Sequence, residues 1–317
     1  VQLSPELVRQ DMDFWDWYTR HLLRRWEFRR DLPAQKSFSK LRSAIAGLYA
    51  TRGLRNEAER AFQESRTLYP VSPEANFRLI QEVLLTQSRH DESIRILNEF
   101  NLKDPNNDRG PGYLDFIKRV REIQQRVQTL SAKVRAKQAL TADETFQLAM
   151  GYRELGQNEA AALHFEQLLT IANIPPETLV EIAGFLGGVN RIPSAVRAAD
   201  LAMSRLGANP NPALLMTLVQ VYATANQPDK MIPPLSTYLK LQPGDWNAWL
   251  EMATLYAFKQ QQQQMIYALQ RAIDIGKNAA LQRIQEHPIL KQAIPALQQM
   301  YQQQQSGLGL QPLGPRR

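Results

Sequence analysis

From Ser39 onward, apolar residues recur three and four positions apart in short runs that come in pairs, each run ended by Gly, Asn or Pro. Ile45, Tyr49, Ala58 and Phe62 mark a first pair that closes at Tyr69-Pro70. Phe77, Leu79, Val83, Leu97 and Phe100 mark a second, closing at Asp104-Pro105. A third starts near Ala142 with Leu148, Tyr152, Ala161 and Phe165, and a fourth from Pro176 with Ile182, Leu186, Ala195 and Ala202. A fifth runs from Pro212 through Tyr222, Met231 and Leu235, and a sixth from Trp246 through Met252, Tyr256, Leu269 and Ala272. Tyr152, Tyr222 and Tyr256 fall on one repeat position. The second repeat is one residue long, and the surplus is expected in the turn near Ser88. No run alternates with the two-residue period of a strand. A single helical pair leaves an apolar face that only a neighbouring pair can bury, so the pattern predicts stacking and a terminal cap.

These residues resemble the tetratricopeptide (TPR) consensus, in which two antiparallel helices occupy 34 residues, small residues sit where helices cross and Pro closes the second helix. The resemblance implies an all-α, TPR-type helical-repeat solenoid wound as a right-handed superhelix. On that reading residues 1–38 form an N-terminal helical segment and 39–107 hold repeats 1 and 2. Residues 108–141 are a long basic inserted helix and 142–279 hold repeats 3 to 6. Residues 280–303 are a capping helix, and 304–317, rich in Gly and Pro, a flexible tail.

Two segments lie outside the repeats. Ser4-Pro5-Glu6 is a helix start, behind which Val8, Met12, Trp15, Thr19, Leu22 and Trp26 form one stripe. It is expected to dock on the first repeat; membrane-surface binding through Arg20, Arg24, Arg25, Arg29 and Arg30 is the alternative, opposed by the interleaved acids. In the inserted helix, Tyr113, Phe116, Val120, Ile123, Val127, Leu130 and Val134 form a heptad seam, flanked by a basic face of Arg119, Arg126 and Lys133 with no acid to pair it. Within the repeats, Pro233-Pro234 predict a kink or a late helix start. Gly184, Gly187 and Gly188 loosen the first helix of the fourth repeat and predict a close helix crossing, with a hinge or the close approach of a ligand as the alternatives.

Net charge is +7 and the pI about 9.6. Residues 109–140 hold eight basic side chains against two acids, so one segment carries most of the excess and nucleic acid is not the expected partner. No apolar run approaches a membrane span. The absence of Cys excludes disulfides, thiolate metal sites and cysteine nucleophiles, and fits an oxidising compartment. His21, His90, His164 and His287 have no ligand-like spacing. There is no phosphate-cradling loop and no nucleophile elbow, so the expectation is a scaffold without catalytic residues, cofactor or metal.

The TPR resemblance also implies a concave groove lined by fixed positions of each first helix. In this chain those are Phe77, Gln81, Leu84, Phe146, Met150, Arg153, Val180, Gly184, Met216, Gln220, Leu250, Thr254 and Phe258. TPR domains that clamp a terminal carboxylate use Lys, Asn and Arg here, and only Arg153 matches. A largely apolar groove instead suits a peptide or amphipathic helix of a protein partner, or one of the chain's own segments. Finally, Phe38-Ser39-Lys40-Leu41-Arg42-Ser43-Ala44-Ile45-Ala46-Gly47-Leu48-Tyr49 and Ser72-Pro73-Glu74-Ala75-Asn76-Phe77-Arg78-Leu79 are similar to the soluble C-terminal tails of bacterial multi-pass membrane proteins related to protein O-mannosyltransferases. That likeness, with the start at Val1, implies an extracytoplasmic fragment of a larger protein. A free-standing cytoplasmic adaptor and a basic RNA-associated repeat protein are the rival expectations.

Overall fold

The computed structural model describes residues 3–207 and 209–297, all its regular structure helical. It divides into two compact units, 1–129 and 130–317.

The N-terminal unit opens with α1 (Pro5–Arg24), whose first turn is capped by Ser4 Oγ accepting from Leu7 N at 3.2 Å. Its buried stripe is Val8, Met12, Trp15, Thr19 and Leu22, packed on the first repeat. Trp26 leaves the expected stripe and is exposed. The helix breaks at Arg25, which is extended, so α2 (Trp26–Arg30) restarts out of phase and buries Phe28 instead.

Repeat 1 pairs α3 (Leu32–Thr51) with α4 (Arg55–Leu68). Helix α3 starts before the expected Ser39, because Asp31 Oδ1 accepts from Ala34 N at 2.9 Å and Pro33 lies in the first turn. The helices cross on three buried serines: Ser65 Oγ donates to the Ser39 carbonyl at 2.7 Å and lies 2.7 Å from Ser43 Oγ. Beside them Arg42 is fully buried, its charge met by Asp11 and Glu64.

Repeat 2 pairs the helix opening at α5 (Pro73–Arg78) with α6 (His90–Lys103). Past Arg78 the first helix continues as a π-helical turn over Leu79–Leu84 and a 3₁₀ turn over Leu85–Gln87. This corrects the expected position of the surplus residue. From the first helical residue to the left-handed turn residue is 15 positions in repeat 2 (Pro73 to Ser88), but 14 in repeats 3 to 6. The turn at Ser88 matches the others, so the extra residue is absorbed inside the helix, as a π turn does by widening the hydrogen-bonded ring.

Helix α7 (Arg109–Arg135) follows. Its buried residues are Leu114, Ile117, Ile123, Val127 and Leu130, whereas Phe116 and Val134, expected on the seam, are exposed. A strict 3.5-residue seam drifts around a 3.6-residue helix, and packing against repeat 2 selects Leu114 and Ile117 as its N-terminal contacts.

The C-terminal unit pairs α8 (Ala142–Glu154) with α9 (Asn158–Leu168), α10 (Pro176–Gly188) with α11 (Ile192–Arg205), α12 (Pro212–Thr224) with α13 (Pro228–Leu241), and α14 (Trp246–Phe258) with α15 (Gln262–Glu286). Thr141 and Glu144 form a reciprocal capping box at α8. Fully buried alanines (Ala161, Ala162, Ala198, Ala199, Ala202, Ala268, Ala272) let paired helices approach, and Phe165, Leu186, Tyr222, Leu235 and Leu269 fill the space between them.

Helix α13 runs unbroken through Pro233 and Pro234, without the late start expected. Pro234 is itself buried beside Met231, Leu235 and Leu239, so packing offsets the lost backbone bonds. Helix α15 bends at Lys277, whose φ is 47°. There Gly276 lies against Trp246 so closely that an added Cβ would sit 2.8 Å from the indole. The segment after the bend buries Ala280, Ile284 and Leu290 on the same core as the cap was expected to cover; residues 298–303 of that cap, and the tail, lie outside the described residues.

One local device recurs in all six repeats. Between first and second helix a residue takes the left-handed conformation: Gly53, Ser88, Gly156, Asn190, Asn226 and Gln260. The next N–H closes a six-residue turn onto the carbonyl of Tyr49, Leu84, Tyr152, Leu186, Tyr222 and Tyr256 respectively, at 2.8–3.0 Å. This is a helix C-cap that satisfies an orphan carbonyl and reverses the chain.

Candidate functional site

The first helices of repeats 3 to 6 carry the expected groove positions of the C-terminal unit. On α8, Phe146 and Met150 are half-buried, Phe146 lying edge-on to Phe165 at 6.0 Å. Arg153 at the end of α8 crosses to α10: Nη1 donates to Glu181 at 2.8 Å, and the guanidinium lies 5.6 Å from the Phe185 ring centre. This fixes Arg153 in an intramolecular contact.

Between α10 and α12 is an apolar cavity of about 670 Å³, floored by Gly184, Gly187 and Gly188 and walled by Met216, Thr217 and Gln220. The glycines open the space. A Cβ on Gly184 would meet Thr217 Cγ2 at 3.4 Å, and one on Gly188 would project into the opening. A Cβ on Gly184 or Gly187 would thus meet its neighbour at ordinary van der Waals distance and one on Gly188 would meet none, so none of the three is crowded as a close crossing requires.

A second cavity, of about 690 Å³, lies beside α14 and is lined by Leu250, Thr254 and Phe258, with Met231, Glu251, Arg283 and His287 around them. Phe258 is 62% exposed at its edge. Burial, and then nearby Asp245, push the Glu251 carboxyl above the usual carboxylate range. His287 Nδ1 accepts from Leu290 N at 3.2 Å, which makes it a cap for the turn that follows α15.

Not every expected groove residue is reachable. Leu84 and Val180 are fully buried in the cores and do not line a groove. Both face the helical partner, a choice that turns on a rotation of one residue. Leu250 is mostly buried but forms the wall of the second cavity. In the N-terminal unit Gln81 is exposed, but Phe77 packs edge-on to Phe100 and Tyr113, both at 5.3 Å, so the start of α7 covers it. Burial raises the Tyr113 hydroxyl's pKa above its usual value. The row that stays accessible is Phe146, Met150, Met216, Gln220, Thr254 and Phe258.

The basic face is also reduced. Arg119 and Arg126 are exposed, whereas Lys133 donates to Glu144 at 2.5 Å, an acid that sequence spacing alone does not bring near. The hydrogen bond from Lys133 holds the Glu144 carboxyl below its usual range. Arg121 pairs with Asp91 at 2.8 Å.

His90 opens α6, His164 stacks on Tyr152 and His21 stacks on Trp17. Among the described residues no group of three or more His, Cys, Asp or Glu could hold a metal ion, and no helix is long and apolar enough to cross a membrane.

No protein-family profile matches the sequence, and no curated protein matches it. Solved structures are similar at the level of helical repeats. MamA is 15% identical, the match covering 64% of this chain and 92% of MamA at a TM-score of 0.34. YrrB, described as a TPR protein with an unusual peptide-binding site, is 12% identical over 71% of this chain and 98% of its own, at 0.36. PilF of Pseudomonas aeruginosa is 17% identical over 67% and 95%, at 0.31. Identities and TM-scores this low transfer neither a site nor a partner.

Proposed function

We propose that this chain is a non-catalytic protein-interaction scaffold that binds a peptide or helix of a protein partner along the face of α8, α10, α12 and α14. The observation that carries the reading is the pair of cavities on that face, one floored by glycines and one edged by the exposed ring of Phe258. An apolar strip with open hollows at helical spacing suits apolar side chains presented every three or four residues. Arg153 is engaged by Glu181, and Arg283 at the edge of the second cavity is a single cation without an ion pair among the described residues, which does not make up the Lys, Asn and Arg set of a terminal-carboxylate clamp.

A displayed peptide library panned on the whole chain tests this. Selection of a shared apolar motif by the native chain, with loss of selection by Met216→Asp and by Phe258→Asp at unchanged helicity, supports it. Failure to enrich any motif, or equal enrichment by both variants, overturns it.

The likeness of residues 38–49 and 72–79 to the tails of O-mannosyltransferase-related membrane proteins supports a further placement: an extracytoplasmic soluble part of a larger bacterial protein, with any glycosyl transfer performed elsewhere in it. The reading frame upstream of the codon for Val1 decides between this and a free-standing adaptor, since hydrophobic spans there are required by the first.

A further inference from the structure

Helix α1 is apolar on two opposite sides. One side, from Val8 to Leu22, is used up by packing on the first repeat. On the other, Phe14 is 49% and Trp17 56% exposed. These rings are ordered in a stack: Phe14 lies 5.3 Å from Tyr18, Tyr18 lies 6.0 Å from Trp17, and Trp17 lies 5.3 Å from His21, all nearly parallel. A second patch of rings on the side away from the core, half open to solvent, is an unfilled contact surface.

The charges beside it say what fits. Of the acids here, Glu6 pairs with Arg9, Asp11 with Arg42, and Asp16 with Arg20 and Arg60. The exposed Asp13 and, on α2, Glu27 form no ion pair among the described residues and stand against four arginines, Arg24, Arg25, Arg29 and Arg30. At the other end the chain turns basic. Arg24 stands seven residues past Trp17, on the same side of the helix, and Arg25 and Arg29 follow. All three are exposed, and none forms an ion pair among the described residues. Trp26 in their midst is 59% exposed, with the Arg30 guanidinium 5.5 Å from its ring centre. Exposed indoles next to unpaired guanidiniums match the polar–apolar boundary of an anionic bilayer, where the ring sits at the head-group level and the cation meets phosphate.

We propose that the outward face of α1 and α2, centred on Phe14, Trp17 and Trp26 with Arg24, Arg25 and Arg29, docks on an anionic lipid surface. The face belongs to the N-terminal unit and is independent of the peptide-binding row on α8 to α14. It orients the scaffold on a membrane without spanning it.

Co-sedimentation of the whole chain with phosphatidylcholine vesicles, with and without phosphatidylglycerol, tests the proposal. Expected are capture by the anionic vesicles alone, release by high salt, and a blue shift of tryptophan emission on capture. Trp17→Ser/Trp26→Ser and Arg24→Gln/Arg25→Gln should each weaken capture roughly tenfold or more, with melting curves unchanged, while Arg119→Gln/Arg126→Gln should retain it. Absence of capture at low salt overturns the proposal. So does capture that survives both face variants and is lost with Arg119 and Arg126. A doubled mass in light scattering that Trp17→Ser abolishes, without vesicle capture, would identify a second copy as the occupant instead.

Discussion

Arg42 Nη1 donates to Asp11 Oδ2 at 2.8 Å, tying the centre of the first repeat to the helix that caps it. The guanidinium is sealed from solvent, with Nε on Glu64 at 2.7 Å and its plane 5.2 Å from the Trp15 ring centre. Tyr49 donates to the same Asp11 oxygen at 2.6 Å; burial, then that carboxylate, raise its hydroxyl's pKa above the usual value. Burial holds the Glu64 carboxyl above its usual range even beside Arg42. The network is structural: a buried cation is tolerable only while both acids face it.

Arg42→Met should therefore cost about 3 kcal/mol, because it strands two acids rather than merely deleting a contact. Adding Asp11→Asn and Glu64→Gln to the same chain should recover most of that loss. Urea unfolding of the single and triple variants measures both, and a single-variant loss below about 1 kcal/mol would show that the charge is dispensable.

The left-handed turns separate backbone strain from packing. Ser88 and Gln260 carry a side chain where Gly53 and Gly156 have none, at φ of 58° and 56°. Ser88→Gly and Gln260→Gly should stabilise the protein, and Gly53→Ala and Gly156→Ala destabilise it, each by about 1 kcal/mol. No neighbour lies within 4 Å of a Cβ added at either glycine, so the effect isolates φ alone. Equal melting temperatures across the four variants would contradict the assignment.

The π turn of repeat 2 can be tested by deletion. Removing the exposed Gln81 should return Leu79–Leu84 to ordinary helix, leaving 14 positions to the turn residue as in the other repeats. The same deletion at Gln220 of α12, which has no residue to spare, should rotate half the helix out of register and abolish cooperative melting. If both deletions are equally damaging, the π turn is not a stored residue.

Glu251 supplies a pH test. Its folded-state pKa is raised by burial, so the folded chain holds the proton more tightly than the unfolded chain. The stabilisation is complete below the unfolded carboxylate pKa and is lost as pH rises through the raised one. Glu251→Gln stays neutral and should melt higher than the native chain at neutral pH, with the gap closing in acid. Calorimetry at the two pH values checks this; a gap that widens in acid would reverse the sign.

Sequence carried the helical pairs because core positions repeat with their partners: Ala161 and Ala195 lie one period apart, and both are buried. Four of the six turns were visible as Gly or Asn. The repeat period places a turn near Ser88, but neither Ser88 nor Gln260 is a residue type that signals a positive φ. Counting revealed the surplus residue of repeat 2, yet Leu79-Ile80-Gln81-Glu82-Val83-Leu84 contains nothing that distinguishes a π turn from an α-helix. The groove suffered most. Leu84 and Val180 differ from Met150 and Met216 only by the angle at which a helix rolls on its partner, and that angle is set by neighbouring side chains rather than by spacing. Arg42, in turn, reads as a surface cation until three separate helices are assembled around it.

The uniform turn also governs where the chain tolerates change in length. Three residues separate the first helix from the second in repeats 1, 3, 4, 5 and 6, whereas the links from one repeat to the next run from four residues (Tyr69 to Ser72, Gln242 to Asp245) to seven (Leu169 to Pro175), and the link from repeat 2 to repeat 3 takes in the whole of α7. Apart from the residue taken up by the π turn of repeat 2, the variation in length thus falls in the links between repeats. The helical hairpin is the part whose length is held constant, so the links between repeats are the place to graft a loop or a reporter without disturbing the stack.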